Sequence, residues 1–499
     1  MSKYIDKLLN RFSMYTVVSI SLLILFAAAA VLALFGQIAY SPLAMVASAV
    51  VLVGATYVVG WLCGKLFGVR IHAESSFITG MILALIFTPT LTLGGLVTLA
   101  AVGAFAGASK FLLAWKGRHI FNPVAAGAFV ASVLGIAYAS WWVATPPLFI
   151  FILIPAFLIL YKTRRLLMGG VFLAVTIVLL LIVFATFGLG FIESLVLLLS
   201  WPLLFFAGFM FSEPLTMPAR RHHQVIEAVL VAFLFAIPLS IGSFEMTPVL
   251  ALLIGNAYAF IVSHRRSLQL EFVNMVALTP TSYELIFKPL VPVRYEAGQY
   301  MELTLHHPGK DFRGIRRVFS ITSAPGDEMI RFGIKFYEPS STFKRALYRL
   351  KAGDVVPVTS VNGDFVLPRR VDAPLLFVAG GIGITPFISQ LRWLMKRKLP
   401  RDIVVVYAIS SKEDLAYRDV LEESGVKVII VSANPGESSG NLTAVTAPFI
   451  SADILKDHVP NITARHAYVS GPPGLINAVK PALRRLRVTS LKTDYFTGY

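Results

Sequence analysis

The chain has 499 residues, of which 56% are hydrophobic and only 14% are charged, with a formal net charge of +17. Soluble domains carry about 25% charged residues, so this composition excludes a wholly soluble protein and predicts the lipid bilayer as a partner. The single cysteine, Cys63, excludes a disulfide framework and any iron–sulfur cluster held by several thiolates. The basic residues of the first half lie in short clusters between apolar segments, a pattern of membrane topology that predicts no nucleic-acid partner.

Residues 1–266 are predicted to form a membrane domain of about ten helices. Most of the apolar segments approach the roughly 20 residues that a spanning helix needs. Lysine and arginine occur only in alternate connections between them. The positive-inside rule therefore predicts a multi-pass protein of the cytoplasmic (inner) membrane, with both termini and the second half in the cytoplasm. The predicted segments are 14–36, 43–64, 76–89, 91–109, 122–140, 147–161, 169–188, 193–211, 224–241 and 247–263.

Two connections of this half place proline and polar side chains at the membrane boundary: "WKGRHIFNPVAAG" (115–127) and "FSEPLTMPARRHH" (211–223). One interpretation is a pair of proline-capped turns that arginines anchor to head groups. Both stretches also resemble the flavin-carrying membrane subunits of sodium-pumping NADH:quinone reductase and the Rnf complex, with glutamate in place of the usual aspartate. That resemblance covers most of residues 40–265. It implies a second flavin, FMN or riboflavin, near His119, Asn122, Pro123, Glu213 and Thr216.

Three further features refine this prediction. In that family a threonine in an S/T-G-A-T string carries a flavin ester, but here only Ala144 and Thr145 remain of the string. We therefore expect a plain turn after the interfacial pair Trp141–Trp142, and a non-covalent membrane flavin. Histidines are confined to helix ends, which argues against a transmembrane haem pathway. Glu227 lies just inside the ninth segment and is a functional candidate, because acids within membrane segments are rare.

Residues 267–370 alternate polar and apolar positions with period two, which predicts a small antiparallel β-barrel. Its fourth strand reads Arg317-Val318-Phe319-Ser320. The arginine offers a fork of donors to a pyrophosphate, the ring can lie against a flavin, and the hydroxyl can reach its N5 edge. An ordinary exposed strand is the alternative for so short a string. A short helix should follow within 340–354, capped by Ser341 or Thr342.

Residues 371–499 read as strand, glycine turn and helix, with "VAGGIGITPF" at 378–387 and "YVSGPPG" at 468–474. Such glycines let the backbone approach a pyrophosphate, although they also occur in ordinary tight turns. The next strand ends without the acid that binds an NAD ribose. Ser410 and Lys412, with Tyr417 and Arg418, could instead meet a 2′-phosphate or simply form a solvated helix start.

The Arg317–Ser320 stretch is followed by the stretches at 378–387 and 468–474. In this order and at this spacing, the three resemble the ferredoxin–NADP⁺ reductase superfamily over roughly the last 230 residues. The resemblance implies FAD on the barrel and NAD(P)H on the last domain, with Ser320, Ser470 and Phe496 at the reacting atoms. Ser470 stands where the family has cysteine, and Lys344 where serine or threonine is common. The residues assigned to these cofactors are Arg317, Val318, Phe319, Ser320, Lys335, Tyr337, Ser341, Thr342, Lys344, Gly380, Gly381, Gly383, Thr385, Pro386, Ser410, Lys412, Gly471, Pro472 and Tyr499.

The predicted function is that of an NAD(P)H-dependent flavoprotein oxidoreductase in a membrane. Electrons would pass from cytoplasmic NAD(P)H through FAD to the membrane flavin, and on to a quinone or an extracytoplasmic flavoprotein. The alternatives are an NAD(P)H:quinone reductase without transmembrane transfer and a redox-driven ion transporter. No metal site is predicted.

Overall fold

The computed structural model describes residues 9, 11–69, 72–115, 118–241, 244–263, 268–309, 311, 313–337 and 339–495. Phe496 and Tyr499, both assigned to the flavin from sequence, lie outside these residues. Contacts divide the chain into two compact units. Unit 1 is Met1–Arg266 with Phe312–Gly314, and unit 2 is Ser267–Asp311 with Ile315–Tyr499.

Unit 1 is helical, as its long apolar runs predict. Two short strand pairs interrupt the helices, β1 (Ala114–Trp115) with β2 (Arg118–His119) and β3 (Ser240–Ile241) with β4 (Phe244–Glu245). The helices are α1 (Met14–Leu34), α2 (Pro42–Leu66), α3 (Ala73–Ile86), α4 (Leu93–Leu112), α5 (Pro123–Val133), α6 (Phe149–Lys162), α7 (Leu166–Thr186), α8 (Phe191–Leu199), α9 (Leu203–Phe205), α10 (Arg221–Ala236) and α11 (Pro248–Ser263).

Four of these helices, α1, α2, α4 and α7, are long and apolar enough to cross a membrane. A fifth candidate joins α8 to residues 203–211 through a 47° bend. Large apolar side chains point outward from them, among them Ile24 on α1 and Ile182 on α7, which are 53% and 57% exposed. Every one of the ten predicted segments contains a helix, yet only four or five candidate spans lie among the described residues.

Glycines let helices α2 and α4 of unit 1 approach each other closely. Gly103 and Gly107, one turn apart on α4, face the backbone of α2. A Cβ on Gly103 would lie 2.9 Å from the Leu52 carbonyl oxygen, and one on Gly107 would lie 2.7 Å from that of Thr56. Small residues at this spacing let two backbones approach, which is how helices associate where lipid gives no hydrophobic drive.

The fifth predicted segment, 122–140, is wrong in its second half. Helix α5 ends at Val133, and the chain then turns at Gly135, whose φ is +67°. The backbone N–H groups of Ser140 and Trp141 donate to the Ile86 carbonyl at 2.8 and 2.9 Å. The Trp142 indole N–H donates to the Ala84 carbonyl at 2.9 Å. The segment therefore satisfies the last carbonyls of α3, which have no partner within that helix.

This segment also corrects the prediction of an interfacial tryptophan pair. Trp142 is only 6% exposed and belongs to the core of unit 1. The eighth segment differs from expectation as well, because it breaks after Leu199 and continues as α9 and a π-helical turn over Phe206–Phe211. Such turns interrupt helices mainly at functional sites, and this one leads directly into the Glu213–Thr216 stretch.

Unit 2 contains the predicted barrel. Its six strands are all antiparallel, in the order β8-β7-β10-β5-β6-β9, and a bridge between Ile321 and Phe332 connects the two edges. A helix, α12 (Thr342–Tyr348), lies where the sequence predicts it. The strands are β5 (Leu268–Thr279), β6 (Ser282–Pro289), β7 (Tyr300–Thr304), β8 (Arg316–Ser320), β9 (Ile330–Lys335) and β10 (Val355–Asn362).

The rest of unit 2 is a six-stranded parallel sheet in the order β14-β13-β12-β11-β15-β16. The chain leaves β11 in one direction and returns to β15 on its other side, so the strand order reverses between β11 and β15. Its strands are β11 (Leu375–Gly380), β12 (Ile403–Ala408), β13 (Lys427–Ser432), β14 (Leu442–Thr446), β15 (His466–Gly471) and β16 (Leu491–Tyr495). Its helices are α13 (Thr385–Arg397), α14 (Arg418–Glu423), α15 (Ala452–His458) and α16 (Pro473–Arg485).

Candidate functional site

Strand β8 holds the predicted FAD-binding arginine in a defined setting. Arg317 is 8% exposed, and its guanidinium lies 5.2 Å from the centroid of the Phe343 ring. Its Nη2 donates to Asp311 Oδ1 at 3.4 Å, so a pyrophosphate would share or replace that carboxylate. The Phe319 ring stacks on Phe343 with centroids 6.1 Å apart. Val318 points outward, and Ser320 is buried.

A second cluster of cations lies at the end of β9. Lys344 Nζ donates to the Lys335 carbonyl at 2.7 Å and lies 4.9 Å from the centroid of the Tyr337 ring. Lys335 Nζ forms an ion pair with Asp414 Oδ1 at 3.1 Å. Three of the predicted cofactor residues are therefore neighbours, and Lys344 supplies a charge where the family pattern has a hydroxyl. The barrel therefore has two lysine ammonium groups here that could donate to a phosphate.

The start of α12 is capped as predicted. Ser341 Oγ accepts a hydrogen bond from the Lys344 backbone N–H at 3.3 Å. The Thr342 hydroxyl instead bonds to the His307 ring at 3.1 Å, a partner that the sequence did not indicate. Ser341 is thus the residue that caps α12, whereas the Thr342 hydroxyl contacts the loop that contains His307.

The glycines of the turn after β11 differ in what surrounds their backbone. Gly381 has φ +52°, and a Cβ there would meet no heavy atom within 4 Å, so its backbone faces open space. A Cβ on Gly383 would lie 2.5 Å from the Ser470 carbonyl oxygen. Gly380 is likewise packed, against Leu475. Only Gly381 therefore fits the predicted approach to a pyrophosphate, while Gly380 and Gly383 are needed for packing. Thr385 and Pro386, which follow, are buried in the first turn of α13.

Ser470 lies at the carboxyl end of β15, beside the glycine turn. It is fully buried, and its hydroxyl has no hydrogen-bond partner among the described residues. Gly471 follows with φ +153°, and Pro472 precedes α16. In open parallel sheets, ligands bind where the strand order reverses, outside the carboxyl ends of the strands. The buried hydroxyl and Gly381 lie on either side of that point, so this crevice fits a nicotinamide nucleotide.

Only some of the residues predicted to bind a 2′-phosphate are accessible to a ligand. Ser410 and Lys412 are exposed after β12, as a ligand contact requires. Tyr417, however, is 2% exposed with φ +59°, and its hydroxyl packs against Gly333 of β9. Arg418 pairs with Glu422 at 2.8 Å. Tyr417 is therefore a packing residue, which corrects the sequence prediction.

A buried ion-pair cluster of unit 2 was missed from sequence. Glu284 of β6 is 4% exposed and accepts from Arg392 of α13 at 2.9 Å, Arg331 of β9 at 3.2 Å and Thr322 at 2.8 Å. Burial raises the pKa of Glu284, but the charge and hydrogen bonds of Arg392, with those of Thr322 and Arg331, outweigh it and hold the pKa below its ordinary value. The cluster links the barrel to the parallel sheet. Period-two alternation alone could not identify it.

In unit 1 the two polar stretches singled out from sequence come together. Asn122 Nδ2 donates to Glu213 Oε2 at 2.8 Å, and the His119 ring bonds to Glu213 Oε1 at 3.3 Å. Asn122 also caps α5, because its Oδ1 accepts from the Ala125 backbone N–H at 3.1 Å. Pro123 occupies the first position of that helix, which suits proline. Thr216 is buried on the same connection as Glu213.

Two further residues complete this polar cluster. Asn256 of α11 accepts from the Asn122 backbone N–H at 2.8 Å and donates to the Thr216 carbonyl at 3.4 Å. Lys110 of α4 donates to the Ser75 carbonyl at 3.1 Å and interacts electrostatically with Glu213. A polar residue inside an apolar helix was the available signal for Asn256. From sequence, Lys110 was interpreted only as one of the basic residues that indicate membrane topology.

A cavity borders the polar cluster on each side. The larger one is lined by Tyr15 of α1, Thr79 of α3, Phe209 of the π-helical turn, and Asn122 and Glu213. The smaller one is lined by Arg118, His119, Thr216, Phe260 and Ser263. The predicted residues thus surround two spaces, and Asn122 and Glu213 face the larger.

Comparison with known proteins concerns the second half of the chain. Residues 377–481 match the family described as oxidoreductase NAD-binding domain. The flavohemoprotein of Bacillus subtilis (strain 168) is 29% identical over 205 residues, 40% of this chain and 50% of that protein. NADH oxidoreductase HCR of Escherichia coli (strain K12) is 26% identical over 208 residues, 41% of this chain and 60% of that protein. The chain thus spans about half the length of the curated relatives it matches first.

Solved structures also match. The FAD/NAD-binding domain of nitric oxide dioxygenase from Vibrio cholerae has a TM-score of 0.41 and 20% identity, covering 46% of this chain and 99% of that chain. A ferredoxin NADP⁺ reductase from Neisseria gonorrhoeae has a TM-score of 0.39 and 16% identity, again covering 46% and 99%. The family match and the curated relatives confirm the predicted enzyme class for unit 2, an NAD(P)H-dependent flavin oxidoreductase. The C-terminal region of this chain is therefore similar to NAD(P)H-dependent flavin oxidoreductases, and its residues 377–481 match their NAD-binding domain.

Proposed function

We propose that the whole chain is a membrane oxidoreductase that passes electrons from NAD(P)H, through FAD in unit 2, to a second flavin held in unit 1. From there electrons go to a membrane or extracytoplasmic acceptor. Both termini and unit 2 face the cytoplasm, as the distribution of lysine and arginine indicates. The second flavin is FMN or riboflavin, and it is held without a covalent bond.

In unit 2, FAD would accept a hydride from NAD(P)H and give up electrons one at a time. The chain's own residues bind and orient. Arg317, Lys335 and Lys344 hold phosphates, and the Gly381 backbone admits the nucleotide at the point where the strand order reverses. Ser470, at the carboxyl end of β15, lies beside the place where the nicotinamide would bind. Ser320 lies on the same strand as Arg317 and would donate to the reacting edge of the flavin.

The observation that supports a second flavin is the hydrogen bond between Asn122 and Glu213, which are 91 residues apart in the chain. It closes a polar cluster inside an apolar helical unit, where every buried polar group has a cost. The cluster borders a cavity and includes the start of α5, which Asn122 caps. The same stretches carry the resemblance to the flavin-holding membrane subunits.

A flavin inventory of the purified protein tests this proposal. Acid extraction and chromatography should give FAD together with FMN or riboflavin in equal amounts. Asn122→Ser keeps a capping oxygen at the start of α5 but removes the amide that donates to Glu213. This variant should lose the second flavin and retain FAD, whereas Arg317→Ala should do the opposite. FAD as the only flavin in the wild type would overturn the proposal.

A quinone is the second candidate for the unit 1 ligand. The larger cavity has an apolar part formed by residues such as Val18, Ile82 and Phe209, and polar groups that include Asn122 and Glu213, a combination that suits a quinone head group. On this alternative the protein is an NAD(P)H:quinone reductase. FAD alone in the inventory, with quinone reduction that Asn122→Ser abolishes, would favour it.

A further inference from the structure

His307 lies in the loop that joins β7 to β8, the strand that carries Arg317. Its Nδ1 atom is 2.9 Å from the Leu305 carbonyl oxygen, and its Nε2 atom is 3.1 Å from the Thr342 hydroxyl oxygen. Leu305 directly follows β7, and its backbone N–H donates to the Ile315 carbonyl at 2.9 Å, which extends the pairing of β7 with β8. His307 therefore connects the end of this strand pair with the first residue of α12.

These two hydrogen bonds fix the orientation of the imidazole ring. A carbonyl oxygen can only accept, so Nδ1 of His307 carries a hydrogen and donates to Leu305. In the neutral ring Nε2 is then an acceptor, and the Thr342 hydroxyl donates to it. Thr342 is the first residue of α12, next to the capping residue Ser341. The imidazole thus holds the first turn of α12 against the loop between β7 and β8.

The ring of His307 also contacts Phe343, the second residue of α12. The two ring centroids are 6.0 Å apart and the ring planes make an angle of 86°, an edge-to-face contact. Phe343 is fully buried and stacks on Phe319 of β8, with ring centroids 6.1 Å apart. The guanidinium of Arg317 lies 5.2 Å from the centroid of the Phe343 ring. Phe343 therefore contacts His307 as well as both side chains of β8 that we assign to FAD.

We propose that His307 is a positioning residue for FAD, which acts through Phe343 on the guanidinium of Arg317. This inference rests on FAD binding to unit 2, which is part of the proposed function. A guanidinium binds a pyrophosphate with two hydrogen bonds only when its planar fork of donors has the right orientation. The bond of His307 to Thr342 and its contact with Phe343 hold the aromatic ring against which that fork lies. His307 therefore lowers the cost of ordering Arg317 when FAD binds.

Fluorescence titration of the detergent-purified apoprotein with FAD tests this inference, because it measures binding without turnover. His307→Asn keeps an amide that can donate to the Leu305 carbonyl but is too short to reach Thr342, so FAD should bind about fivefold more weakly, as expected for the loss of one hydrogen bond. Thr342→Val removes only the hydroxyl and should weaken binding to a similar extent. His307→Gln extends the amide towards Thr342 and should bind FAD more tightly than His307→Asn. His458→Asn, at a histidine of α15, is the matched control and should have wild-type affinity.

A double-mutant cycle with Arg317→Ala distinguishes positioning from a general loss of structure. If His307 acts through the arginine, His307→Asn should weaken FAD binding by less than about twofold in the Arg317→Ala background, because the group that it positions is absent. A fivefold loss in both backgrounds, or wild-type affinity in His307→Asn, would overturn the inference while leaving FAD in unit 2. A wild-type apoprotein that binds no FAD would overturn this inference and the proposed function together.

Discussion

Each unit buries a glutamate, and the two are accommodated in different ways. Glu284 in unit 2 lies between Arg392 and Arg331, with a third hydrogen bond from Thr322. Glu227 in unit 1 lies opposite Gly255, and neither α7 nor α11 supplies a basic residue. A buried carboxylate needs an opposite charge, whereas a protonated one needs only a hydrogen-bonding neighbour. Unit 2 therefore surrounds its acid with arginine side chains, whereas the acid of unit 1 packs against two helices made largely of apolar residues.

Glu213 shows a third arrangement. It is the acid of the candidate flavin site, and Asn122 and His119 bond to its two oxygens. These partners are neutral or titratable side chains from another part of the chain, and Lys110 acts on the acid electrostatically. The three acids together show that the surroundings of a carboxyl, rather than the residue type, decide what it does. The following predictions address this contrast.

The largest effect should come from Glu284→Gln. This change removes the buried carboxylate that pairs with Arg392 and with the partly exposed Arg331, and breaking a buried ion pair from one side costs about 3 kcal/mol or more. Chemical denaturation followed by FAD release should show a loss of that size. Arg370→Ala, which breaks the exposed pair of Arg370 with Asp372, should change the free energy of unfolding by less than about 1 kcal/mol. Equal losses in the two variants would contradict the structural role of Glu284.

Acid pH should remove the same stabilisation in the wild type. The pKa of Glu284 is lowered in the folded protein from the ordinary value of 4.5, so its contribution is complete above that value. As the pH falls below 4.5 towards the folded pKa, the unfolded state binds the proton first and stability decreases. Denaturation curves from neutral pH to about pH 4 should show a smaller slope in Glu284→Gln. Parallel curves would indicate that another group controls acid unfolding.

Arg317→Ala should weaken FAD binding by about 10-fold to 100-fold. The change removes a charge-assisted contact of roughly 1.5–3 kcal/mol to the pyrophosphate and leaves Asp311 nearby as a repulsive charge. Fluorescence titration of the apoprotein with FAD measures the dissociation constant. Wild-type affinity in this variant would remove β8 from the flavin site.

Ser320→Ala should leave FAD bound but slow its reduction by about tenfold, the equivalent of one hydrogen bond of roughly 1.4 kcal/mol. Ser320 is buried and is the last residue of β8, the strand that also carries Arg317. Stopped-flow bleaching of the flavin by NAD(P)H measures the rate. An unchanged trace would exclude Ser320 from hydride transfer.

Much of the fold was determined by the sequence itself. Period-two alternation predicted all six barrel strands, because each strand has one face in the core and one in water. The glycine turn after β11 and the stretch around Ser470 were recognisable because both follow directly on regular strands. In unit 1 the apolar runs predicted a helix in every segment. Hydropathy could not reveal that α5 ends at Val133, because the capping segment that replaces it is itself apolar.

The tertiary structure decided which polar side chains meet. Asn122 and Glu213 are adjacent because α5 starts and a π-helical turn ends at the same place, and Asn256 joins them from a third helix. Tyr417 is buried and Trp142 is a helix cap because of what packs against them, and neither partner is near in sequence. The sequence pattern within one helix or strand indicates only the periodicity of that element. Contacts between elements depend on where helices break and on how the strand order reverses, and those are properties of the folded chain.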